Sequence, residues 1–112
     1  MLESISASYS EELIKSKKPV IVMFYAEYCP FCRSFAPIFE SYSSDPNFIF
    51  SKADITDDDD PLWNKYNIKV VPTLVAFQEG REVARRDGVR GEGLREEDLL
   101  SLLQEVAMLW RG

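Results

Sequence analysis

The segment VIVMFYAEYCPFC, residues 20–32, decides the expected fold. Its first six residues, 20–25, are all apolar, which predicts a strand covered on both faces of a sheet rather than a half-exposed one. Two cysteines, Cys29 and Cys32, follow this strand, and the apolar residues after them recur at helical spacing. We therefore expect the cysteines to lie where a buried strand ends and a helix begins.

The patterns on either side of this segment predict a β-α-β unit followed by α-β-β-α. The first expected elements are a short helix from Ser8 or Ser10 to about Lys18, a strand at 20–25, a helix at 30–44 kinked at Pro37 and a strand at 48–54. A short helix at 62–66 and a hairpin of strands 70–77 and 82–86 follow. The last helix starts at Leu94, and its apolar face consists of Leu99, Leu102, Leu103, Val106 and Trp110. This order predicts one α/β domain over residues 1–112, a central mixed sheet flanked by helices.

Composition limits the partners and the location of the protein. The net charge of -6 over 112 residues argues against nucleic acid, whose binding surfaces concentrate Lys and Arg. No apolar run approaches the roughly 18 residues that span a bilayer, and the first residues lack a secretory signal pattern. With two cysteines and no histidine, the chain lacks the four ligands of a structural zinc site. We expect a cytoplasmic monomer that binds neither metal, membrane nor nucleic acid.

The spacing of the two cysteines favours thiol–disulfide exchange. Cys29 is expected at the helix N-cap, where free backbone N–H groups and the positive end of the helix dipole stabilise a thiolate. Cys32, three residues later, lies on the same helix face and within reach of a disulfide. Cys29 can then attack a substrate disulfide, and Cys32 can displace the product. A lone C-x-x-C is also compatible with two structural cysteines or with half of an intermolecular metal site.

The residues around the cysteines resemble the thioredoxin family. The segment YAEYCPFC, residues 25–32, is similar to the active-site stretch of that family, in which aromatic-Ala-Glu-aromatic precedes the cysteine pair. Further resemblances are Ala36-Pro37 to the helix kink, Val71-Pro72-Thr73 to the cis-proline loop, and Gly80 and Gly88 to the later turn glycines. The resemblance spans residues 19–110. It implies a thioredoxin fold and an enzyme that reduces disulfide-containing proteins, with a reductase or glutathione as electron donor and no bound cofactor besides the redox-active disulfide.

The resemblance also implies which residues contact the substrate. Pro72 is expected to be cis and to face the cysteines, so that the backbone of Val71 is presented to an extended substrate segment. The other expected substrate contacts are Tyr28, Pro30 and Phe31. Trp63 fits the apolar rim of this surface and the protein core equally well.

Two positions depart from the family pattern. Met23 stands where thioredoxins carry a buried aspartate that accepts a proton, so Cys32 must lose its proton by another route. Lys52 matches a lysine near that aspartate, and it is either a proton-transfer partner or a strand residue with its ammonium in solvent. The dipeptide Pro30-Phe31 replaces the usual Gly-Pro and is closer to the Pro-Tyr of glutaredoxins. We therefore expect a reduction potential less negative than that of thioredoxin.

Two other functions fit parts of the sequence. A glutaredoxin-like enzyme that uses glutathione is one, but the Gly-Gly-x-Asp segment expected after the cis-proline strand is absent. The other is a binding module of the same fold that docks a partner through Tyr28, Trp63 and Pro72 without turnover. The presence of both cysteines favours catalysis over simple binding.

Overall fold

The structure is a computed structural model that describes residues 7–109. Its strands and helices in chain order are β1 Ala7–Ser8, β2 Val20–Tyr25, α1 Pro30–Ser41, β3 Ile49–Asp54, α2 Leu62–Lys65, β4 Thr73–Gln78, β5 Arg81–Asp87 and α3 Glu96–Leu109, with a 3-10 turn at Leu13–Lys15. The strands form one sheet in the order β1-β3-β2-β4-β5. β3 pairs in parallel with β1 and β2, whereas β4 pairs antiparallel with β2 and β5. This mixed sheet confirms the predicted fold class.

β2 lies at the centre of the sheet and buries both of its faces. Ile21 and Met23 belong to a first core, formed between the sheet and helices α1 and α3. Val22 and Phe24 belong to a second core, formed with α2 and the 3-10 turn on the opposite face. Because side chains alternate along a strand, a strand with two covered faces needs apolar residues at every position. The unbroken apolar run therefore identified this strand correctly.

Helix α1 carries the cysteines and is shorter than predicted. It packs Cys32, Phe35 and Phe39 into the first core, and Pro37 lies inside it as expected. The helix ends at Ser41 rather than at residue 44, because the following residues form successive i to i+3 turns in place of helical hydrogen bonds. The N-terminal end of α1, where the cysteines lie, is placed as predicted.

The region before β2 differs from the sequence prediction. β1 was not predicted, and it pairs with Ser51 and Lys52 at the edge of the sheet. The helix predicted from Ser8 or Ser10 is reduced to the 3-10 turn, whose Leu13 N–H donates to Ser10 Oγ at 3.0 Å. Ala7 and Ser8 are extended because this part of the chain pairs with β3, so Ser8 is not available to start a helix.

The β4–β5 hairpin turns at Glu79 and Gly80, whose φ angles are 54° and 83°. Positive φ at both central residues is the geometry of the tight hairpin turn that the glycine predicted. β4 starts at Thr73 rather than at residue 70, because residues 70–72 form the loop that reaches the cysteines. The strands are antiparallel, as predicted.

Helix α3 closes the first core. Its buried residues are Leu99, Leu102, Leu103 and Val106, the face that the sequence predicted. Trp110, the fifth member of that face, lies outside the described residues. Within residues 7–109, the longest helix is too short and too polar to cross a bilayer.

Candidate active site

Cys29 occupies the N-cap of α1. Its backbone is extended, with φ -91° and ψ 112°, and Pro30 follows at the first helical position. The Cys32 N–H donates to Cys29 Sγ at 3.1 Å, and both cysteines are free. A sulfur that accepts a backbone N–H at a helix N-terminus is stabilised as a thiolate, since donor and helix dipole both favour negative charge there.

The loop before β4 covers the same sulfur. The Val71–Pro72 peptide bond is cis, as the resemblance implied. The Cys29 thiol donates to the Val71 carbonyl oxygen, with 3.6 Å between sulfur and oxygen. Cys29 is only 6% exposed and belongs to the first core, which is deeper than the sequence suggested. The structure thus brings together Cys29, Cys32, Val71 and Pro72 from two distant segments.

Gly88 holds this loop in place from the far side. A Cβ atom at Gly88 would lie 2.3 Å from the Pro72 carbonyl oxygen, so only glycine permits the backbone approach. The Gly88 N–H and the Val70 carbonyl both bond to Thr73 Oγ1. The conformation of the loop is therefore fixed by packing against the end of β5.

Cys32 is the more buried thiol, with 2% exposure. Burial is the main cause that raises the pKa of Cys32 well above its ordinary value, and the hydrogen bond with the Cys29 thiol adds to the rise. A hydrogen bond with the Ala26 backbone and the charge of Arg33 lower the pKa, but they do not cancel the rise. At neutral pH this residue is a protonated thiol.

Lys52 lies opposite Met23 in the register of β2 and β3. Met23 is 1% exposed and belongs to the first core, as does Cys32. The Lys52 ammonium forms an ion pair with the Glu40 carboxylate and lies 5.9 Å from the centre of the Tyr25 ring. Its side chain is partly buried by these contacts rather than free in solvent. The Glu40 partner could not be predicted from the sequence, because an ion pair between a helix and a strand depends on tertiary packing.

The aromatic residues near the cysteines divide into two groups. Tyr28 is 58% exposed and Phe31 is 39% exposed, so both offer apolar surface beside Cys29. Trp63 is half-buried against the second core, and its indole N–H donates to the carbonyls of Ile55 and Asp57, each at 3.1 Å. Those bonds fix Trp63 as part of the framework of α2.

One residue of the site was missed by the sequence analysis. Gly93 packs against Phe31, and Val89 beside it is 53% exposed. Three glycines within residues 88–93 indicate an unusual loop, but glycine spacing cannot show which element the loop touches. Within residues 7–109, His, Cys, Asp and Glu side chains form no group of three that could hold a metal ion.

Comparisons with known proteins agree with this geometry. Residues 1–104 match the thioredoxin family. A thioredoxin-like protein of Synechocystis sp., slr0233, is 39% identical over 75% of this chain and 81% of its own length. The bifunctional thioredoxin reductase/thioredoxin of Mycobacterium leprae is 30% identical over 94% of this chain, which spans only 23% of that protein. The thioredoxin of Fasciola hepatica superposes with a TM-score of 0.73 and 30% identity, over 85% of this chain and 88% of its own.

The family match covers residues 1–104 and therefore includes both cysteines, so the similarity concerns the reactive residues as well as the fold. The glutaredoxin-like and binding-module alternatives are not favoured by these relatives. The chain therefore belongs to the thioredoxin family of thiol–disulfide oxidoreductases.

Proposed function

We propose that this protein reduces disulfides in protein substrates, with Cys29 as the attacking thiolate and Cys32 as the resolving thiol. The observation that carries the assignment of roles is the 3.1 Å hydrogen bond from the Cys32 N–H to Cys29 Sγ. That bond stabilises charge on one sulfur only, while burial keeps the other thiol protonated.

The reaction proceeds in two exchanges. The Cys29 thiolate attacks one sulfur of the substrate disulfide, which forms a mixed disulfide, and the second substrate sulfur leaves as a thiolate that takes up a proton. Cys32 then loses its proton and attacks Cys29 Sγ. The Cys29–Cys32 disulfide forms, and the remaining substrate sulfur leaves and is protonated. Two electrons pass from the cysteine pair to the substrate, so the pair itself carries them and no bound cofactor is needed.

The substrate would lie across the surface next to Cys29. Tyr28 and Phe31 are exposed there, and Pro30 lies beside them at the start of α1. The Val71 carbonyl already accepts a hydrogen bond from Cys29, so the Val71–Pro72 backbone is positioned to meet an extended segment on either side of the substrate disulfide. Ionisation of Cys29 removes this S–H donor and frees the carbonyl for the substrate.

The electron donor is proposed to be a reductase. The Mycobacterium leprae relative combines thioredoxin reductase and thioredoxin in one chain, which supports a thioredoxin reductase as the partner of this protein. Glutathione is the competing donor. Recycling of the oxidised protein should be measured with thioredoxin reductase plus NADPH and, separately, with reduced glutathione. Turnover supported only by glutathione would overturn the reductase proposal.

An insulin-reduction assay on the parent, Cys29→Ser and Cys32→Ser tests the proposed function. Both variants should lose turnover, and Cys32→Ser alone should accumulate a mixed disulfide with insulin because it completes only the first exchange. The two serine substitutions are matched controls, since each removes one sulfur at the same end of α1. A parent without activity, or trapping by Cys29→Ser instead, would contradict the assigned roles.

Two expectations accompany this proposal. The protein is proposed to act as a monomer, because the two-exchange reaction uses sulfurs from one chain only. It is proposed to act in the cytoplasm, where a reductase keeps the cysteine pair reduced. Sedimentation at micromolar concentration and cell fractionation test these two points separately.

A further inference from the structure

Phe31, between the two cysteines, lies directly against the backbone of Gly93. A Cβ atom placed on Gly93 would be 2.8 Å from Phe31 Cβ, 3.1 Å from Cγ and 3.2 Å from Cδ1. A rotation of the phenyl ring cannot relieve the shortest of these contacts, because the position of a Cβ atom is set by its own backbone. The contact therefore joins the first turn of α1 to the backbone at residue 93.

The backbone at Gly93 belongs to a well-anchored loop, which we define as the 88–94 loop. The Val89 N–H donates to the Gly93 carbonyl at 3.0 Å, and the Gly93 N–H donates to the Val89 carbonyl at 2.7 Å. At one end Gly88 packs against the Pro72 carbonyl, and at the other Leu94 is buried in the first core. A loop with both ends fixed and an internal pair of hydrogen bonds resists displacement, so a new contact is transmitted to Phe31.

We propose that Gly93 is a positioning residue for the cysteine pair: through Phe31 it holds the first turn of α1 where the Cys32 N–H meets Cys29 Sγ. This inference rests on the proposed function, in which that hydrogen bond stabilises the attacking thiolate. Gly93 touches neither sulfur in this scheme. It acts by permitting a close backbone approach that any side chain would prevent.

The substitution Gly93→Ala tests the proposal. The added methyl pushes the first turn of α1 away from the 88–94 loop and weakens the N–H to sulfur bond. Loss of that bond makes the reduced form less stable relative to the disulfide. Alkylation of Cys29 by iodoacetamide at pH 7 should slow about threefold or more, the effect expected when most of one hydrogen bond is lost. The equilibrium with a glutathione buffer should shift by a similar factor towards the oxidised protein.

Gly91→Ala is the matched control. Gly91 and Gly93 have φ angles of 83° and 78°, so alanine suffers the same backbone strain at both positions. A Cβ atom at Gly91 has no neighbour within 4 Å. The proposal predicts parent-like alkylation and parent-like glutathione equilibrium for Gly91→Ala. Equal behaviour of the two alanine variants in both measurements would overturn the proposal.

The Phe31→Gly variant tests whether residue 93 acts through its contact with Phe31. In Phe31→Gly the Cβ atom that meets the new methyl is absent, so adding Gly93→Ala should leave the alkylation rate of Phe31→Gly unchanged. If Gly93→Ala alone does not fold, the double variant should fold, because the clash is gone. A double variant that is slowed or unfolded would show that residue 93 does not act through Phe31.

These measurements use only the thiols and glutathione. They stand apart from the insulin assay, whose failure in the parent would instead contradict the proposed function.

Discussion

Cys29 and Cys32 are three residues apart, yet their surroundings differ. Both belong to the first core, but Cys29 accepts the Cys32 N–H and contacts the Val71 carbonyl with 6% exposure, whereas Cys32 is 2% exposed. The difference arises because an N-cap side chain folds back over the helix end, while the residue at the third helical position lies on its buried face. One short motif thus supplies two thiols with separate roles.

The raised pKa of Cys32 makes the stability of the reduced protein depend on pH. The folded state holds the Cys32 proton more tightly than the unfolded state, so this contribution to stability is complete below the ordinary pKa of a thiol, 9.0, and is lost as the pH rises beyond it. Urea unfolding of the reduced parent and of Cys32→Ser between pH 7 and pH 10 measures the difference. The stability of the parent relative to Cys32→Ser should fall above pH 9. A constant difference would show that Cys32 titrates alike in both states.

The proton of Cys32 must leave without the buried aspartate that Met23 replaces. Met23 and Cys32 share the first core, and Lys52 is engaged by Glu40. We predict that Met23→Asp speeds resolution of the mixed disulfide by Cys32 at pH 7 by about tenfold or more, because a carboxylate there acts as a general base. The same substitution should cost about 2–4 kcal/mol of stability, the penalty for a buried carboxyl without partners.

Met23→Leu is the control, since it keeps the volume and should cost less than about 1.5 kcal/mol. Single-turnover rates measured from pH 6 to pH 9 compare the two variants with the parent. Identical pH profiles for all three would mean that the proton of Cys32 leaves by a route that residue 23 does not influence.

At the scale of elements, local sequence signals succeeded where the structure is decided locally. The glycine at residue 80 identified the hairpin turn. β1 could not be seen, because two residues at a sheet edge carry no periodic pattern and are extended only through pairing with β3. The contact between Phe31 and Gly93 was equally hidden, since it joins segments about sixty residues apart.

Helix α2 depends on a side-chain cap because it has only one turn. Asp60 Oδ1 accepts the Leu62 N–H at 2.9 Å. We predict that Asp60→Ala lowers the free energy of unfolding by about 1 kcal/mol, the usual cost of losing an N-cap. Asp58→Ala, at an exposed position in the run of four aspartates at residues 57–60, should change the free energy of unfolding by less than about 0.5 kcal/mol. Urea unfolding of both variants gives the comparison, and equal losses would remove capping as the explanation.

At the scale of the whole molecule, β2 is shared by two cores. The first core holds α1 and α3, the second holds α2, and both use residues of the same central strand. Neither core can lose its packing without exposing one face of β2. The sequence predicted this arrangement well, because a strand that is apolar at every position requires cover on both sides.

Unfolding should consequently be a single transition. Phe39→Leu, in the first core, should cost about 1 kcal/mol through lost contacts. In a Trp110→Phe background, fluorescence reports on Trp63 at the second core, and far-ultraviolet circular dichroism reports on all elements. Both signals should shift to the same lower urea midpoint. Separate midpoints would show that the two cores unfold independently.

The sulfur of Cys29 is covered by a carbonyl at residue 71, and the turn that carries it rests on residue 93. During translation both thiols are synthesised before either of those residues. A nascent or truncated chain therefore displays two uncovered thiols without the surface that selects their target. Discrimination among disulfides is acquired only when the final third of the polypeptide has been added.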